Sequence, residues 1–189
     1  NAYGEKRGIL VEHYIISSGL REIIEGTAIA KDFTHIYASS FYYNEHGEPC
    51  WPAQVINYTN KTQFLFRIEK GILDINDNAV NDHFVEGELR VPFRNIVYIG
   101  DSATDIPCMR LVNSLGGHSV GVYDLENTAS KDTVRRMIRD ERIRYYVPAD
   151  YTKGSEMDTL MHRIIDKTAA YEVLEEKHLR DRKEAVSLK

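Results

Sequence analysis

The sequence predicts an α/β fold: a three-layer, Rossmann-like parallel sheet with helices on both faces and a surface β-hairpin. The first observation is that short apolar runs alternate along the chain with segments of helical periodicity, as in sheets built from strand–helix units. The second is that two of these runs lead directly into small and polar turn residues, as strands do before a helix begins. The third is length, since 189 residues fit one domain with a proper core.

The first strand–helix unit is predicted near the N-terminus. The apolar run from Gly8 to Ile16 is bounded by the polar step Ser17-Ser18-Gly19, which predicts a buried strand. A helix is expected from about Leu20 to Phe33, because apolar residues recur there at three- and four-residue spacing. Together these segments open an α/β unit.

A surface hairpin is predicted next. His35 to Tyr43 is rich in β-branched and aromatic residues, and residues 44–47 form a turn signal that ends in glycine. The returning strand is expected at Val55 to Tyr58. Pro49 and Pro52 place this hairpin at an edge or on the surface, because proline cannot donate to a strand ladder.

The remaining elements follow from the same patterns. A helix is expected from Asn60 to Lys70, ended by Gly71, and the polar residues 72–94 predict an irregular surface insertion. An almost wholly apolar strand at 95–99 leads into a helix that starts near Ile106-Pro107, where proline suits the first turn. Further strands are expected at 118–123 and 144–147, and further helices at 133–140 and at about 156–185.

Charge and hydropathy exclude two classes of partner. The chain has 24 basic and 29 acidic residues, a net charge of −5 and a pI near 5.8. A nucleic-acid surface needs an excess of Lys and Arg, so no nucleic-acid partner is expected. No apolar run approaches the roughly 20 residues that span a bilayer, so no membrane partner is expected either.

The cysteines and the first residues bear on the origin of the chain. Cys50 and Cys108 are far apart and form no CxxC motif, which predicts free thiols in a reduced cytoplasm. The chain opens with Asn1-Ala2 rather than Met, and we expect these two residues to be a scar of tag removal.

Two predicted loops carry groups suited to an anionic substrate. In a parallel sheet, functional groups gather where the carboxyl ends of strands meet helix N-termini. Ser17-Ser18-Gly19 offers a hydroxyl and backbone N–H groups there. The segment from Gly100 to Asp105 offers two carboxylates, Asp101 and Asp105, and Lys61 adds a positive charge at the start of a helix.

These segments resemble three motifs of the haloacid dehalogenase superfamily. Tyr14 to Gly19 is similar to the second motif, an apolar strand ending in Ser or Thr. Lys61 is similar to the third-motif lysine, and Ile99 to Asp105 is similar to the fourth motif, GDxxxD after an apolar strand. Their order and spacing resemble the phosphoserine-phosphatase-like branch, and the likeness covers roughly residues 8–125.

The resemblance implies a magnesium-dependent phosphatase that acts on a small phosphorylated substrate. Ser17 would hydrogen-bond a phosphoryl oxygen, with Ser18 and Gly19 beside it, and Lys61 would neutralise its charge. Asp101 would ligate Mg²⁺, while Asp105 would hold a metal-bound water or pair with Lys61. This agrees with the charge of a phosphate ester, which a hard cation and an ammonium can balance.

The first motif of that family, DxDx[TV], is absent from the sequence. No Asp-x-Asp follows an apolar strand anywhere in the chain. In the family its first Asp becomes the phosphoaspartyl intermediate and its second acts as general acid and base, so we expect this chain to be inactive or nearly so. The resemblance therefore implies a core domain over residues 8–189 without its first strand, preceded at 1–7 by the scar and a linker or cap remnant.

The missing strand lies centrally in the family's sheet, between the Ser17 strand and the Gly100 strand. Its absence would leave two rows of backbone groups without partners, each costing on the order of 1–3 kcal/mol when buried. We therefore expect the sheet to close differently or to take a strand from a partner chain, for example in a homodimer.

Other interpretations of these residues stay open. Ser17 could be a simple helix cap, Lys61 a solvated helix residue, and the two aspartates capping residues. The second interpretation of the whole chain, after the phosphatase, is a noncatalytic anion-binding or interaction module, that is, a pseudoenzyme. A receiver-type signalling domain fits less well, because its acidic pair should end an early strand and its lysine should come late.

Overall fold

A computed structural model describes residues 1–187, which fall into two units. The core unit comprises His13–Pro148, and the terminal unit comprises Asn1–Glu12 together with Ala149–Lys189. The predicted domain limits, with a linker over 1–7 and a core domain over 8–189, stay a prediction. The fold is mixed α/β, as the alternating pattern indicates, but its strands form two three-stranded sheets rather than one.

The first sheet of the core unit is mixed. Its strands are β1 (Tyr14–Leu20), β2 (His35–Tyr43) and β3 (Pro49–Gln54), in that order. β1 is parallel to β2, and β2 is antiparallel to β3. We call it the hairpin sheet.

Two predictions for the hairpin sheet are wrong in their limits. β1 begins six residues after Gly8 and runs through Gly19, because its pairing with β2 resumes at Leu20 after an irregular step. The returning strand is β3 rather than 55–58, because Asn44 Oδ1 accepts from the amides of His46 and Glu48 and makes the turn tight. β3 carries both prolines because it is an edge strand.

The predicted helix over 20–33 is shorter than expected. α2 covers only Arg21–Glu25, and a 3-10 turn, Ala30–Asp32, follows it. Gly26 ends α2, and the Thr27 hydroxyl donates to the Ile24 carbonyl, which turns the chain away from the helix axis.

The second sheet of the core unit is wholly parallel. Its strands are β4 (Val97–Gly100), β5 (His118–Tyr123) and β6 (Tyr145–Pro148). Its helices are α4 (Ile106–Ser114), with Pro107 in the first turn, and α5 (Thr128–Arg139), capped by the Asn127 side chain. These elements confirm the predictions to within a few residues, and we call this sheet the parallel sheet.

The helix α3 connects the two sheets. It covers Thr62–Lys70 and ends at Gly71, whose φ of 75° is the left-handed conformation that glycine favours. Leu65 lies in the apolar cluster of the parallel sheet, while Phe64 and Ile68 lie in the cluster of the hairpin sheet. Ile16 of β1 also packs against both clusters.

The predicted surface insertion at 72–94 is held by two cations of α3. The Arg67 guanidinium donates to backbone carbonyls of the loop, and the Lys70 ammonium donates to those of Val80 and Asp82. The segment contains short 3-10 turns: Asn78–Asn81, Glu86–Glu88 and Phe93–Asn95. The insertion is irregular, as predicted, and its carbonyl groups accept hydrogen bonds from the two cations, which hold it against α3.

The terminal unit contains α1 (Ala2–Glu5) and α6 (Glu156–Ser187). The Tyr3 hydroxyl donates to the Asp166 carboxylate, Arg7 pairs with the same carboxylate at 2.8 Å, and the Tyr3 ring stacks on His162. Residues 1–7 are thus packed against α6. Across residues 1–187, none of the helices is both long and apolar enough to traverse a bilayer.

Candidate functional site

The candidate site is built at the carboxyl end of β4. Gly100 ends the strand, and a 3-10 turn, Ala103–Asp105, leads into α4. A Cβ placed on Gly100 would lie 2.8 Å from the Cβ, Cγ and Oδ2 atoms of Asp105. Only glycine leaves room for this close approach, so the glycine of the GDxxxD segment fixes where the second carboxylate lies.

Lys61 and Asp105 form a buried ion pair. Lys61 Nζ lies 2.7 Å from Asp105 Oδ1, and each residue is 6% exposed. The lysine directly precedes α3 and the aspartate directly precedes α4, 44 residues further along the chain. The pairing of these two residues, one of the two roles that the resemblance implies for Asp105, is present in the structure.

Two further side chains hold the Asp105 carboxylate. The Tyr98 hydroxyl donates to Oδ1 at 2.9 Å, and the Ser102 hydroxyl donates to Oδ2 at 3.1 Å. Tyr98 and Cys108 both lie in the apolar cluster of the parallel sheet. Burial raises the pKa of Tyr98 well above its usual range and raises the pKa of Cys108 to about 11.

Sequence reasoning missed Tyr98 and Ser102 as parts of this network. One signal was available, because Tyr98 is the single polar side chain in the apolar run 96–99 and lies two residues before Gly100. A buried tyrosine hydroxyl needs a partner, and the nearest polar segment along the chain is the acidic one.

Asp101 lies apart from this buried network. Its side chain is exposed, one residue beyond the end of β4. The described residues contain no group of three or more His, Cys, Asp or Glu side chains that could hold a metal ion. Because Asp105 is engaged by Lys61, Tyr98 and Ser102, Asp101 is the better placed of the two predicted metal ligands, and one carboxylate alone does not fit a complete Mg²⁺ site.

Ser17, Ser18 and Gly19 lie in the irregular step of β1. Between the pairs Ile16↔Tyr37 and Leu20↔Ser39, β1 has three intervening residues and β2 has one. The Ser17 Oγ accepts from the Gly19 amide at 3.0 Å, and the Ser18 carbonyl accepts from Ser39. Ser17 therefore caps this turn rather than α2, whose N-cap position is Leu20.

The described contacts join two of the predicted site residues, Lys61 and Asp105, directly. Within residues 1–187, no described hydrogen bond or ion pair joins Ser17 or Asp101 to this pair: Ser17 lies in the irregular step of β1, and Asp101 directly follows β4. A hydroxyl that accepts from an amide still has its own hydrogen to donate, so Ser17 retains a donor for an anion. The structure supports the acidic and basic half of the predicted site more fully than the serine half.

No family model matches the chain. A match is found to an uncharacterized protein of Borreliella burgdorferi, with 24% identity over 161 residues, covering 78% of this chain and 55% of that protein. The chain thus spans about half the length of the curated relative it matches. This likeness carries no functional name.

Proposed function

We propose that the chain is part of a magnesium-dependent phosphomonoester hydrolase of the haloacid dehalogenase superfamily. The observation that carries the proposal is the buried pair between Lys61 and Asp105. These residues come from two separate motifs of the resemblance, and a buried lysine paired with one carboxylate is an unusual feature for a merely structural helix.

The chemistry of the pair suits a phosphate ester. Asp105 neutralises Lys61 in the absence of substrate, so the ammonium can remain charged while buried. An ammonium has three donors, and those that Asp105 does not accept can reach a phosphoryl oxygen. Ser17 would add a neutral donor to the same phosphate group.

Magnesium enters the proposal through Asp101. When bound, the ion would balance charge on the phosphoryl oxygens, and Mg²⁺ commonly uses one or two carboxylates together with substrate oxygens and water. This chain contributes one exposed carboxylate to such a site. The remaining carboxylates would come from the Asp-x-Asp segment that the sequence lacks.

The finer fold proposal concerns the two sheets. We infer that the hairpin sheet and the parallel sheet are two parts of one three-layer sheet, separated by the position of a missing central strand. In support, no pairing joins β1 to β4 within residues 1–187, and Ile16 of β1 packs against the clusters of both sheets. A strand supplied by another segment or by a partner chain would then join β1 to β4.

The experiment is a phosphatase assay on two forms of the protein. The 189-residue chain should not hydrolyse p-nitrophenyl phosphate above background in the presence of Mg²⁺, because it has no nucleophilic aspartate. The whole protein encoded by the gene should hydrolyse it, and its Asp101→Asn variant should lose metal-dependent activity by about 100-fold or more.

A matched control keeps this assay specific. Asp124→Asn in the whole protein changes an exposed carboxylate that follows β5 and should leave the rate unchanged. Turnover by the 189-residue chain would refute its inactivity, and an unchanged rate in Asp101→Asn would remove Asp101 from the site.

A second candidate function is anion binding without catalysis. The absence of an Asp-x-Asp after any apolar strand favours it for this chain. Phosphate binding by both forms of the protein, with no turnover by either, would support the noncatalytic module over the phosphatase.

A further inference from the structure

The Asp105 carboxylate receives two donors on one oxygen. Oδ1 accepts from Lys61 Nζ at 2.7 Å and from the Tyr98 hydroxyl at 2.9 Å, while Oδ2 accepts from Ser102. The two donors to Oδ1 come from different parts of the fold, since Tyr98 lies within β4 and Lys61 directly precedes α3. The position of this oxygen is therefore set by the sheet as well as by the helix.

The direction of the hydrogen bonds follows from the chemistry of the groups. An ionised carboxylate only accepts, so the single hydroxyl hydrogen of Tyr98 is directed at Asp105. Cys108 lies in the same apolar cluster as Tyr98. Cys108 is fully buried, and its raised pKa, about 11, keeps it protonated near neutral pH.

We propose that Tyr98 is a positioning residue, whose hydroxyl fixes the orientation of the Asp105 carboxylate and thereby the position of the Lys61 ammonium. The part that this plays in phosphate binding rests on the function proposed above, whereas the positioning does not. Without the hydroxyl, Oδ1 keeps one donor, the flexible Lys61 ammonium, and only the Ser102 hydroxyl on Oδ2 still restrains rotation of the carboxyl group about its Cβ–Cγ bond. The lysine, a point charge on a flexible four-carbon stem, then loses its fixed partner.

A tyrosine suits this role better than a longer polar side chain. Its ring packs in the apolar cluster of the parallel sheet, where Tyr98 is 8% exposed, and its hydroxyl extends from a rigid group with two side-chain torsions. Phenylalanine would keep the ring and remove only the donor. Tyr98→Phe therefore separates positioning from packing.

The test measures how fast Lys61 is acetylated by acetic anhydride, read by mass spectrometry of the 189-residue chain. In the wild type, Lys61 should react slowly because it is buried and paired. In Tyr98→Phe its rate should rise about tenfold to 100-fold, since a hydrogen bond to a charged group contributes roughly 1.5–3 kcal/mol and tenfold corresponds to about 1.4 kcal/mol. If Lys61 were acetylated at the same rate in Tyr98→Phe as in the wild type, the proposal would be overturned.

The control is Tyr123→Phe. Tyr123 is a buried tyrosine of the same apolar cluster, in β5, and it has no described hydrogen bond to the Asp105 carboxylate within residues 1–187. Its phenylalanine variant should leave the Lys61 rate at the wild-type value. An equal rise in both variants would show a general loosening of the core and would also overturn the proposal.

A second readout separates the positioning from the proposed function. Isothermal titration calorimetry with inorganic phosphate in the presence of Mg²⁺ should show that Tyr98→Phe binds phosphate more weakly than the wild type. The loss of affinity should be similar to the factor by which the Lys61 acetylation rate rises. If neither the wild-type chain nor the whole protein binds phosphate, the proposed function fails, and the acetylation rates still decide the role of Tyr98.

Two further variants keep the test decisive if Tyr98→Phe does not fold. Tyr98→Leu keeps an apolar side chain and removes the donor, so a raised Lys61 rate in it supports the proposal and a wild-type rate overturns it. Ser102→Ala removes a donor from Oδ2, the oxygen that Lys61 does not share. Its effect should be smaller than that of Tyr98→Phe, and a larger one would assign the positioning to Ser102 instead.

Discussion

The two sheets of the core unit differ in how completely their strands are buried. Every residue of β5, in the middle of the parallel sheet, is buried. In the hairpin sheet, β2 ends in three exposed aromatic residues, 41–43, and five of the six residues of β3 are exposed. The central strand of the parallel sheet is therefore buried along its whole length, whereas the buried cluster of the hairpin sheet depends on Phe64 and Ile68 of α3.

This difference places the functional groups unequally. Beside the parallel sheet, the Asp105 carboxylate accepts from three donors: Tyr98, Ser102 and Lys61. Tyr98 and Lys61 are buried. The hairpin sheet contributes Ser17 from an irregular step of β1, with a local turn as its described contact. A site assembled between such sheets would have one rigid side and one adaptable side, and three predictions test this comparison.

The largest effect is expected at the ion pair that links the two sheets. Lys61→Met should lower the free energy of unfolding by about 3–5 kcal/mol, because it leaves the buried Asp105 charge without its cation. Equilibrium urea denaturation followed by circular dichroism measures this. The double variant Lys61→Met/Asp105→Asn should recover much of the loss, since a neutral amide still accepts from Tyr98.

The control for this variant is Lys31→Met. Lys31 is exposed in the core unit, and its replacement should change the free energy of unfolding by no more than about 0.5 kcal/mol. If Lys61→Met lowered the free energy of unfolding as little as Lys31→Met, the ion pair would contribute little to stability. Only apolar contacts would then stabilise the packing between the two sheets.

The next effect contrasts the interiors of the two sheets. Met109→Ala, at a fully buried position in the cluster of the parallel sheet, should cost about 2–5 kcal/mol through lost burial and a cavity. Trp51→Ala in β3, where the side chain is 72% exposed, should change stability by about 0.5 kcal/mol or less. Urea denaturation of both variants checks the contrast, and equal costs would contradict it.

The smallest effect is a loss of stability in alkali, which should begin in the parallel sheet. Burial raises the pKa of Cys108 to about 11 and that of Tyr37, in the cluster of the hairpin sheet, to about 12. Above about pH 9 for the thiol and pH 10 for the phenol, the unfolded chain releases these protons while the folded chain keeps them. The free energy of unfolding then falls with rising pH, by up to about 3 kcal/mol for each group.

Denaturation at several values between pH 8 and pH 12 measures this dependence. Cys108→Ala should remove the part of the decline that begins near pH 9, and Tyr37→Phe should remove a later part. A stability that is constant over this range would contradict the burial of both groups.

The parallel sheet was predictable from the sequence because its signals are local. A wholly apolar strand, a glycine at its end and a proline in the first helical turn place β4 and α4 with little need of tertiary context. The same signals locate Gly100, Asp101 and Asp105. That Lys61 lies against Asp105 required the family resemblance, since no local rule pairs residues 44 positions apart.

The hairpin sheet was less predictable because its limits depend on partners distant in sequence. β1 extends past Ile16 only because Leu20 pairs with Ser39 of β2. β3 begins earlier than predicted because the Asn44 side chain accepts from two amides of the turn and keeps it short. The prolines suggested an edge, which is correct, but not a strand that contains both of them. Tyr98 was missed although its partner Asp105 is near in sequence, because the turn after Gly100 is what brings the two side chains together.

The helix α3 has a consequence for how Lys61 is aimed. Phe64 and Leu65 are neighbours in sequence, yet they insert into different apolar clusters. A rotation of the helix about its own axis would weaken the packing of Phe64 or of Leu65, so the two clusters together fix its orientation. Lys61 directly precedes the first residue of α3, so the packing of the helix also fixes the backbone from which its side chain extends. The ion pair with Asp105 then has to orient only the side chain and not the helix.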